Sequence, residues 1–484
     1  MKQLIKLATF FLIVVCVFAS CIKDKPATSS PISNNKSPIA NAGVDQTIML
    51  PTDSVELSGS GTDPDGNIVS YSWSQISGPA LFFIVNPNNA VVKLKNLLVG
   101  VYEFELKVTD NGGLTAKDRV QVIVNQSNNS CSGMTDSIYI TTGNVRMIPF
   151  GQLSQARFSF VSATAGNKII FAGGYECRGD RWSASTRVDI FDMITQTWST
   201  AELSESRSDF ATTVVGNKIL IAGGRNNQYQ VSSRVDIYDA SINLWSTVEL
   251  SIARASIAAT TIGNKAFFAG GTTGYANPKS SRVDIYDAST NTWSTAELSE
   301  GRLAIAVATL GNKLYFAGGY TDEDYWDYVG TSKRVDIYNN ATITWSTEFL
   351  SEGRGAIAAI TLNNKVFFAG GFNDSGASHK VDIYDNNLQS WSTAILSQAR
   401  FRIQVATLGD RILFANGVNQ RGEITRMDII TRMDIYDGSS NTWTTADLNL
   451  PLSGSTVIRA GNDVYIAGGK VRNKASDKVW KLEF

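Results

Sequence analysis

Apolar and polar residues alternate in short runs along most of this chain, which is the pattern of β-strands that bury one face. Between residues 38 and 125 such runs include SVELSGS (54–60), YEFELKVTD (102–110) and RVQVIV (119–124). The turn-forming sequences DPDG and DNGG separate them. Short strands at this spacing predict a sandwich of two β-sheets.

After about residue 137 the alternation becomes a repeat. The sequence AGG or a close variant recurs every 46 to 52 residues, with its alanine at Ala172, Ala222, Ala269, Ala317, Ala369, Ala415 and Ala467. In the third copy, strands are expected at 255–263, 265–271, 282–287 and 293–299. Four strands in a period near 50 residues predict a β-propeller built from four-stranded blades.

Each complete copy also carries a tryptophan six positions after the end of its RVDIYD-like strand. The pairs are Asp192/Trp198, Asp239/Trp245, Asp287/Trp293, Asn339/Trp345, Asp385/Trp391 and Asp437/Trp443. A glycine doublet, a tyrosine (Phe191 in the first copy) and a tryptophan in this order resemble the kelch repeat of galactose-oxidase-like propellers. Because every copy repeats them, these aromatic residues are expected to pack neighbouring blades together.

The kelch resemblance implies an all-β propeller over residues 137–484. Seven glycine-doublet strands predict seven blades, and six blades are the alternative if the irregular sixth copy is not a blade. The sequence IPFGQLSQAR (148–157) matches the end of a repeat, with Ile148 in the position of the tryptophan. We therefore expect this N-terminal strand to supply the outer strand of the last blade and to close the ring.

Residues 38–125 resemble a PKD domain, an immunoglobulin-like module of extracellular proteins that acts as a spacer or adhesive unit. The sequences DPDG, YSW and LKVTDNGG carry the resemblance. It implies a β-sandwich with Trp73 in its core. Asp63 and Asp65 are candidate calcium ligands, and turn formation is the alternative interpretation. A polar linker, 126–136, joins this domain to the propeller.

The N-terminus has the features of a targeting segment. Lys2 and Lys6 precede an apolar run of 12 residues, 7–18, which is too short to span a bilayer. The following FASC resembles the lipobox of bacterial lipoproteins, so residues 1–20 are predicted to be a signal peptide and Cys21 a lipidated residue. Cleavage before a residue that carries no lipid is the alternative.

The residues CIKDKP that begin at Cys21 resemble the surface-export signal of Bacteroidetes-type lipoproteins. Residues 21–37 are expected to form a flexible tether. The resulting prediction is an outer-membrane lipoprotein on the surface of a Gram-negative bacterium, anchored in the membrane by its lipid.

Charge and composition exclude several functions. Lys and Arg number 43 against 44 Asp and Glu, so no excess of positive charge favours nucleic-acid binding. The one histidine, His379, cannot supply a multi-histidine metal site or the ligands of a copper radical oxidase. No cofactor, metal or catalytic residue is predicted. Cys131 and Cys177 either form a disulfide or remain thiols.

The loops that follow the glycine doublets differ between copies and are expected to gather on one face, where binding residues are usual. The candidates in these loops are Trp182, Tyr275, Tyr320, Asp322, Asp324, Tyr325, Trp326 and Tyr328. Aromatic rings beside acids suit the faces and hydroxyls of sugars, or a basic site on a protein partner. The alternative is that these rings fold back and anchor their loops.

A second candidate set is the arginine of the recurring sequence LSxxR. Its members are Arg157, Arg207, Arg254, Arg302, Arg354 and Arg400. Six guanidinium groups around a channel would bind an anionic ligand such as a sialic or uronic acid. The alternative is that each arginine pairs with the acids or carbonyl groups of its own blade.

Taken together, the sequence predicts a monomeric binding or adhesion module whose partner is a glycan or a surface protein. The alternative is a carbohydrate-active enzyme of kelch type, similar to a sialic-acid epimerase or mutarotase, or a lyase. Binding rather than catalysis is expected, because no nucleophile elbow or zinc motif is present.

Overall fold

The computed structural model describes residues 35–49, 52–79, 83–95, 97–125, 146–178, 181–274, 279–321, 330–420, 427–429, 432–447, 452–471 and 474–483. The predicted signal peptide, Cys21, most of the tether and Cys131 lie outside these residues. Every regular element within them is a β-strand. None of these residues forms a helix that is long and apolar enough to cross a membrane.

The N-terminal strands form two facing sheets and a short extra pair. The strands are β1 (Ile39–Asn41), β2 (Gln46–Met49), β3 (Val55–Ser58), β4 (Ser60–Thr62), β5 (Ile68–Ser77), β6 (Phe83–Val85), β7 (Val91–Lys95), β8 (Gly100–Asp110) and β9 (Thr115–Asn125). One sheet has the order β2-β9-β8-β5 and the other the order β3-β7-β6, with β1 paired to β4. The predicted immunoglobulin-like sandwich is confirmed.

The alternating apolar residues of these strands fill the space between the sheets. Trp73 is 4% exposed and packs in this core with Leu57, Leu94 and Leu106, as the sequence predicted. At the start of β8, the Tyr102 hydroxyl accepts a hydrogen bond from the Leu98 N–H at 2.7 Å and donates one to the Leu98 carbonyl at 3.1 Å. This arrangement matches the tyrosine corner of immunoglobulin-like sandwiches.

The remaining strands begin with β10 (Arg146–Gln152), β11 (Arg157–Phe158), β12 (Val161–Ala165), β13 (Lys168–Ala172), β14 (Tyr175–Arg178), β15 (Arg181–Asp192) and β16 (Thr197–Arg207). They continue with β17 (Ala211–Val215), β18 (Lys218–Ala222), β19 (Arg234–Asp239), β20 (Leu244–Glu249), β21 (Ala258–Ile262), β22 (Lys265–Ala269), β23 (Arg282–Asp287), β24 (Thr292–Glu297), β25 (Ala306–Leu310), β26 (Lys313–Ala317), β27 (Arg334–Asn339) and β28 (Thr344–Phe349).

The last group is β29 (Ala358–Leu362), β30 (Lys365–Ala369), β31 (Phe372–Asn373), β32 (Gly376–Ala377), β33 (Lys380–Asp385), β34 (Ser390–Ile395), β35 (Gln404–Leu408), β36 (Arg411–Ala415), β37 (Val418–Gln420), β38 (Met427–Ile429), β39 (Arg432–Asp437) and β40 (Thr442–Asp447). The chain ends with β41 (Thr456–Ala460), β42 (Asp463–Ala467), β43 (Lys470–Val471), β44 (Lys474–Ala475) and β45 (Lys478–Glu483).

These strands form antiparallel four-stranded sheets, which we number as units in the order of their first strands. Units 1 to 6 are β12-β13-β15-β16, β17-β18-β19-β20, β21-β22-β23-β24, β25-β26-β27-β28, β29-β30-β33-β34 and β35-β36-β39-β40, and unit 7 is β41-β42-β45-β10. The first strand of each unit contacts that of the next, and β41 contacts β12. The predicted propeller fold is confirmed, and the seven sheets of the described residues are consistent with seven blades.

Strand β10 closes the ring, because it pairs with β45 at the other end of the chain. This confirms the predicted source of the outer strand, but Ile148 does not occupy the tryptophan position. The β-bulge between Pro149 and Gly151 inserts one residue and shifts the register. Met147 therefore lies opposite Leu482, where the other units place tryptophan opposite tyrosine or phenylalanine.

The repeated tyrosine and tryptophan pack between neighbouring units, as predicted. Tyr238 and Trp245 of unit 2 contact the core of unit 1, which includes Ile170 and Val188. Their rings lie 4.9 Å apart between centroids. The same arrangement recurs between units 2 and 3, where Tyr286 joins the next core cluster. The motif that dominates the sequence therefore belongs to the scaffold.

Replacing Tyr102 with phenylalanine is expected to destabilise the sandwich. The change removes both hydrogen bonds to the buried backbone of Leu98, and a buried group left unpaired costs about 1–3 kcal/mol. The free energy of unfolding, measured by urea denaturation, should fall by this amount. Tyr71→Phe in the same sandwich is the control, because no hydrogen bond to its hydroxyl is found among the described residues. Equal losses in the two variants would contradict the assignment.

The stability of the sandwich should also fall at high pH because of Tyr102. Burial raises the pKa of Tyr102 from 10.0 to about 12. In the unfolded chain this tyrosine keeps its ordinary pKa and loses its proton first as the pH rises. Its contribution to stability should therefore be present below pH 10 and decline toward pH 12. The free energy difference between wild type and Tyr102→Phe should shrink between pH 9 and pH 11; a constant difference would exclude this linkage.

Candidate functional site

A large pocket on the propeller opens at the end of the ring where the variable loops meet. Antiparallel pairing of Ala211 with Ala222 brings the residues before β17 next to those that follow the glycine doublet, and every unit repeats this geometry. The cavity has a volume of about 800 Å³, and all seven units contribute to its lining. This size is typical of pockets for small ligands.

A ring of residues with left-handed backbone conformation surrounds this pocket. We call it the collar: Ser159 (φ 52°), Asp209 (54°), Ser256 (53°), Ala304 (50°), Ala356 (50°), Arg402 (54°) and Gly454 (65°). Backbone hydrogen bonds link neighbouring members, such as the Ser256 N–H to the Asp209 carbonyl at 2.8 Å. The backbone of the collar repeats, whereas its side chains differ from unit to unit.

The first glycine of each doublet lets the next unit approach the collar closely. A Cβ atom at Gly223 would lie 2.4 Å from the carbonyl oxygen of Arg254, and its φ of +69° also disfavours other residues. This close approach explains why the doublet recurs. It also fixes the spacing between collar residues of neighbouring units.

One side of the pocket combines aromatic rings with positive charge. The rings of Phe158 and Trp182 meet edge to face, with centroids 4.8 Å apart, and Tyr175 stacks on Phe158. The Lys470 ammonium lies 4.3 Å from the Phe158 centroid and 5.8 Å from that of Trp182. Burial lowers the pKa of Lys470, and the nearby charge of Arg402 lowers it further.

Negative charge is scarce in the described lining of this pocket. Among the described residues that line the pocket, Asp209 is the only acid, and it forms an ion pair with Arg225 at 3.1 Å. Arg402 and Lys470 lie on the side formed by units 6 and 7. This side of the pocket therefore favours an anionic group.

Asn416 replaces the first glycine of the doublet in unit 6, and a second substitution makes room for it. In units 3 to 6, the isoleucine immediately before the first strand approaches the glycine of the preceding unit, as Ile257 approaches Gly223. Unit 7 has Ser455 at this position. The Asn416 Nδ2 donates a hydrogen bond to the Ser455 Oγ at 3.1 Å. The two departures from the repeat are thus coupled.

The predicted arginine ring does not line the channel. All six arginines are fully buried, and each forms an ion pair with the aspartate of the unit whose first strand follows it in the chain: Arg157–Asp189, Arg207–Asp236, Arg254–Asp284, Arg302–Asp336, Arg354–Asp382 and Arg400–Asp434. They therefore cannot bind a ligand in the channel. The structure has the alternative arrangement, in which each arginine is bonded within its own blade.

The geometry of one pair shows what the arginine does. The Arg254 Nη1 donates to the Gly270 carbonyl at 2.7 Å, while its Nη2 donates to Asp284. The other Asp284 oxygen accepts the backbone N–H of Ser251 at 2.9 Å. Burial lowers the pKa of Arg254, and Asp284 opposes this shift. The pair thus joins the incoming LSxxR segment to the second and third strands.

Unit 7 lacks this pair and replaces both partners. Leu452 stands in the position of the arginine, and Trp480, opposite Ile466, stands in that of the aspartate. Their side chains are 1% and 2% exposed and belong to one apolar cluster. Replacing both charges together leaves no buried charge unpaired.

The structure separates the predicted loop residues into three groups. Trp182 belongs to the aromatic wall of the pocket. Tyr320 also borders the pocket but is 5% exposed, because it packs against Phe372 and Gly355, so it is a loop anchor and not an exposed binding ring. The remaining candidates, Tyr275, Asp322, Asp324, Tyr325, Trp326 and Tyr328, lie outside the described residues and stay predictions.

Two further predictions concern cysteines and calcium. Cys177 is disulfide-bonded, but its partner lies outside the described residues, so pairing with Cys131 stays a prediction. Asp63 and Asp65 occupy a turn in which the Asp65 carboxylate accepts the Lys36 N–H. Within the described part of the chain, no group of three or more potential ligands could hold a metal ion. This geometry does not support the calcium interpretation.

Several pocket residues were not predicted from the sequence. They are Phe158, Tyr175, Arg225, Tyr229, Arg402, Asn416 and Lys470. A signal for some of them exists in the repeat, since Arg402 lies two residues after the LSxxR arginine and Lys470 follows a glycine doublet. Comparing these two positions between copies would have identified both cations.

Family models match the N-terminal domain and two of the propeller repeats. A family model of the PKD domain matches residues 42–124, and the Kelch motif model matches residues 206–249 and 253–297. The chain therefore has an N-terminal PKD domain followed by kelch motifs. These matches agree with the sandwich and with the repeated sheets.

This chain matches only a short part of each curated relative. The mouse homolog of dyslexia-associated protein KIAA0319 is 36% identical over 104 residues, 22% of this chain and 10% of that protein. Human low-density lipoprotein receptor-related protein 11 is 36% identical over 96 residues, 20% of this chain and 19% of that protein. The chain thus spans about a tenth of the first relative.

Among solved structures, one titled "Structure of YjhT" is similar to this chain. The match covers 61% of this chain and 98% of that chain, with 16% sequence identity and a TM-score of 0.47.

The buried ion pairs predict a non-additive response to mutation. Asp284→Ala leaves the Arg254 charge buried without its partner and should cost about 3–5 kcal/mol of unfolding free energy. The double variant Arg254→Leu with Asp284→Leu should cost less than this single change, because it imitates the apolar pair of unit 7. Urea denaturation followed by tryptophan fluorescence measures both. A double variant less stable than Asp284→Ala would contradict the assigned role.

Proposed function

We propose that this chain is a binding module of the bacterial surface that recognises a glycan in the pocket at the loop end of its propeller. A lipid on Cys21 anchors it to the outer membrane, and the PKD domain holds the propeller away from the membrane. The observation that carries the proposal is the pocket of about 800 Å³ with contributions from all seven units. A rigid scaffold with variable side chains at one end is the usual basis of a binding site.

The chemistry of the lining supports a sugar more than an apolar ligand. The exposed faces of Trp182 and Tyr229 suit the apolar faces of a sugar ring, and Tyr229 is 65% exposed. Ser453 and Ser455 add hydroxyl groups, and Asn416 adds an amide. Aromatic surfaces beside a few convergent polar groups are typical of specific small-ligand sites.

No observation favours the carbohydrate-active enzyme over the binding module. A glycoside hydrolase of the common kind needs two carboxylates at the scissile bond. In the described lining, Asp209 is the only carboxylate, and Arg225 neutralises it. The enzyme hypothesis depends on the acids of residues 322–327, which lie outside the described residues, and it stays a prediction.

The proposal is tested by probing an array of glycans with the purified full-length chain. Tyr229→Ala and Trp182→Ala should each weaken binding by about fivefold, since a stacked ring contributes on the order of 1 kcal/mol. Tyr229 is exposed, so its replacement should not disturb the fold.

Phe349→Ala is the matched control, because this aromatic residue is 51% exposed on an outer strand and does not line the pocket. It should bind as the wild type does. Binding to no glycan would overturn the proposal, and so would glycan binding that neither pocket variant weakens.

A further inference from the structure

Asn416 carries a buried polar atom that the chain leaves unpaired. The side chain is 3% exposed and lines the pocket. Its Nδ2 is bonded to Ser455, but no hydrogen bond to its Oδ1 is made by the part of the chain that the structure describes. If the amide is rotated by half a turn, its NH₂ group becomes the unpaired end. A buried amide in this state costs about 1–3 kcal/mol unless a ligand or water pairs with it.

Two cations lie on the same side of this pocket. Arg402 is a collar residue, and the Lys470 ammonium is held over the Phe158 and Trp182 rings. Their charges are close enough for Arg402 to lower the pKa of Lys470. The one acidic residue of the described lining, Asp209, is paired with Arg225. An anion between Lys470 and Arg402 would relieve their mutual repulsion.

These three residues also stand at positions where the units differ. The collar position of Arg402 holds serine, aspartate, alanine or glycine in the other units. Asn416 stands where the other six units have glycine, and Lys470 occupies a position that varies between units, with Arg225 in unit 2, Thr272 in unit 3 and Val418 in unit 6. Residues that recur in every unit build the scaffold. Residues that differ between units, on one side of a pocket, can therefore bind a ligand without disturbing the scaffold.

We infer that the side of the pocket formed by Arg402, Asn416 and Lys470 binds the carboxylate and an adjacent hydroxyl of an acidic sugar residue. This inference rests on the proposed function and names its ligand class. The carboxylate accepts hydrogen bonds from the Lys470 ammonium and the Arg402 guanidinium. The hydroxyl pairs with the open end of the Asn416 amide, and Trp182 contacts a face of the sugar ring.

The chain itself offers substitutions that should preserve the fold. Arg402→Ala installs the residue found at the collar positions of Ala304 and Ala356, and Asn416→Gly restores the glycine of the other units. Lys470→Gln removes a charge at similar length. Lys313→Gln is the matched control, since Lys313 lies at the other end of its strand from the glycine doublet and outside the pocket lining.

The probes are a short galacturonate oligosaccharide, its methyl ester, and a glutamate oligopeptide, each titrated into the full-length chain by calorimetry. The galacturonate should bind, and its neutral ester should bind much more weakly. Lys470 is half-buried, so Lys470→Gln should weaken galacturonate binding by about tenfold, whereas Arg402 is exposed and Arg402→Ala should weaken it by about threefold. Asn416→Gly should weaken it by about fivefold, and Lys313→Gln should leave it unchanged.

Each of the other possible outcomes contradicts either the acidic-sugar inference or the proposed function. Equal binding of the acid and its ester, or acid binding that the three pocket variants leave unchanged, would overturn the acidic-sugar inference and leave the glycan proposal intact. Equal binding of the glutamate peptide would overturn it in favour of a protein partner. If a glycan array and these titrations both show no binding to any sugar, the proposed function fails as well.

Discussion

The buried pair between an arginine and an aspartate is the interaction on which the propeller depends. Each aspartate binds two parts of the incoming LSxxR segment, as Asp284 binds the N–H of Ser251 and the guanidinium of Arg254. The arginine also bonds to the carbonyl groups of Gly270 and Arg282, at the ends of two neighbouring strands. A charge buried to this extent needs an opposite charge and hydrogen bonds to compensate its lost hydration, so the pair holds the segment in one position.

The position of this LSxxR segment determines where the collar of the pocket lies. The collar residue follows the arginine by two positions, so fixing Arg254 also fixes Ser256. The left-handed conformation of the collar then directs its N–H to the neighbouring collar carbonyl, as Ser256 does to Asp209. Residues with branched Cβ atoms are disfavoured in this conformation, and none of the seven collar residues is β-branched. Within this limit the side chain can change from alanine to arginine while the backbone ring is kept.

The sequence supports prediction of the scaffold much further than prediction of the site. Strand order, the packing of tyrosine against tryptophan, and closure by the N-terminal strand follow from features that recur. Ile148 was misplaced because a β-bulge adds one residue without a signal in composition. The six arginines were candidates for a ligand site because each precedes a strand. The sequence does not show whether a residue in that position faces the channel or the interior of its blade. Tyr320 resembles an exposed loop aromatic until its packing on Gly355 is known.

The same limit applies to the pocket cations. Lys470 and Arg402 are 68 positions apart in the chain and lie on one side of the pocket because units 6 and 7 are neighbours, whereas closure of the ring brings Trp182 of unit 1 to Lys470. Comparing the repeats identifies each cation separately, but nothing near either residue in the sequence shows that the two line one pocket. The paired exchanges of unit 7 show how a repeat protein can build such a site: apolar Leu452 and Trp480 replace the charged pair together, and Ser455 gives space to Asn416. Because each exchange is compensated by its own neighbour, the ring keeps its geometry while one side of the pocket acquires a distinct chemistry.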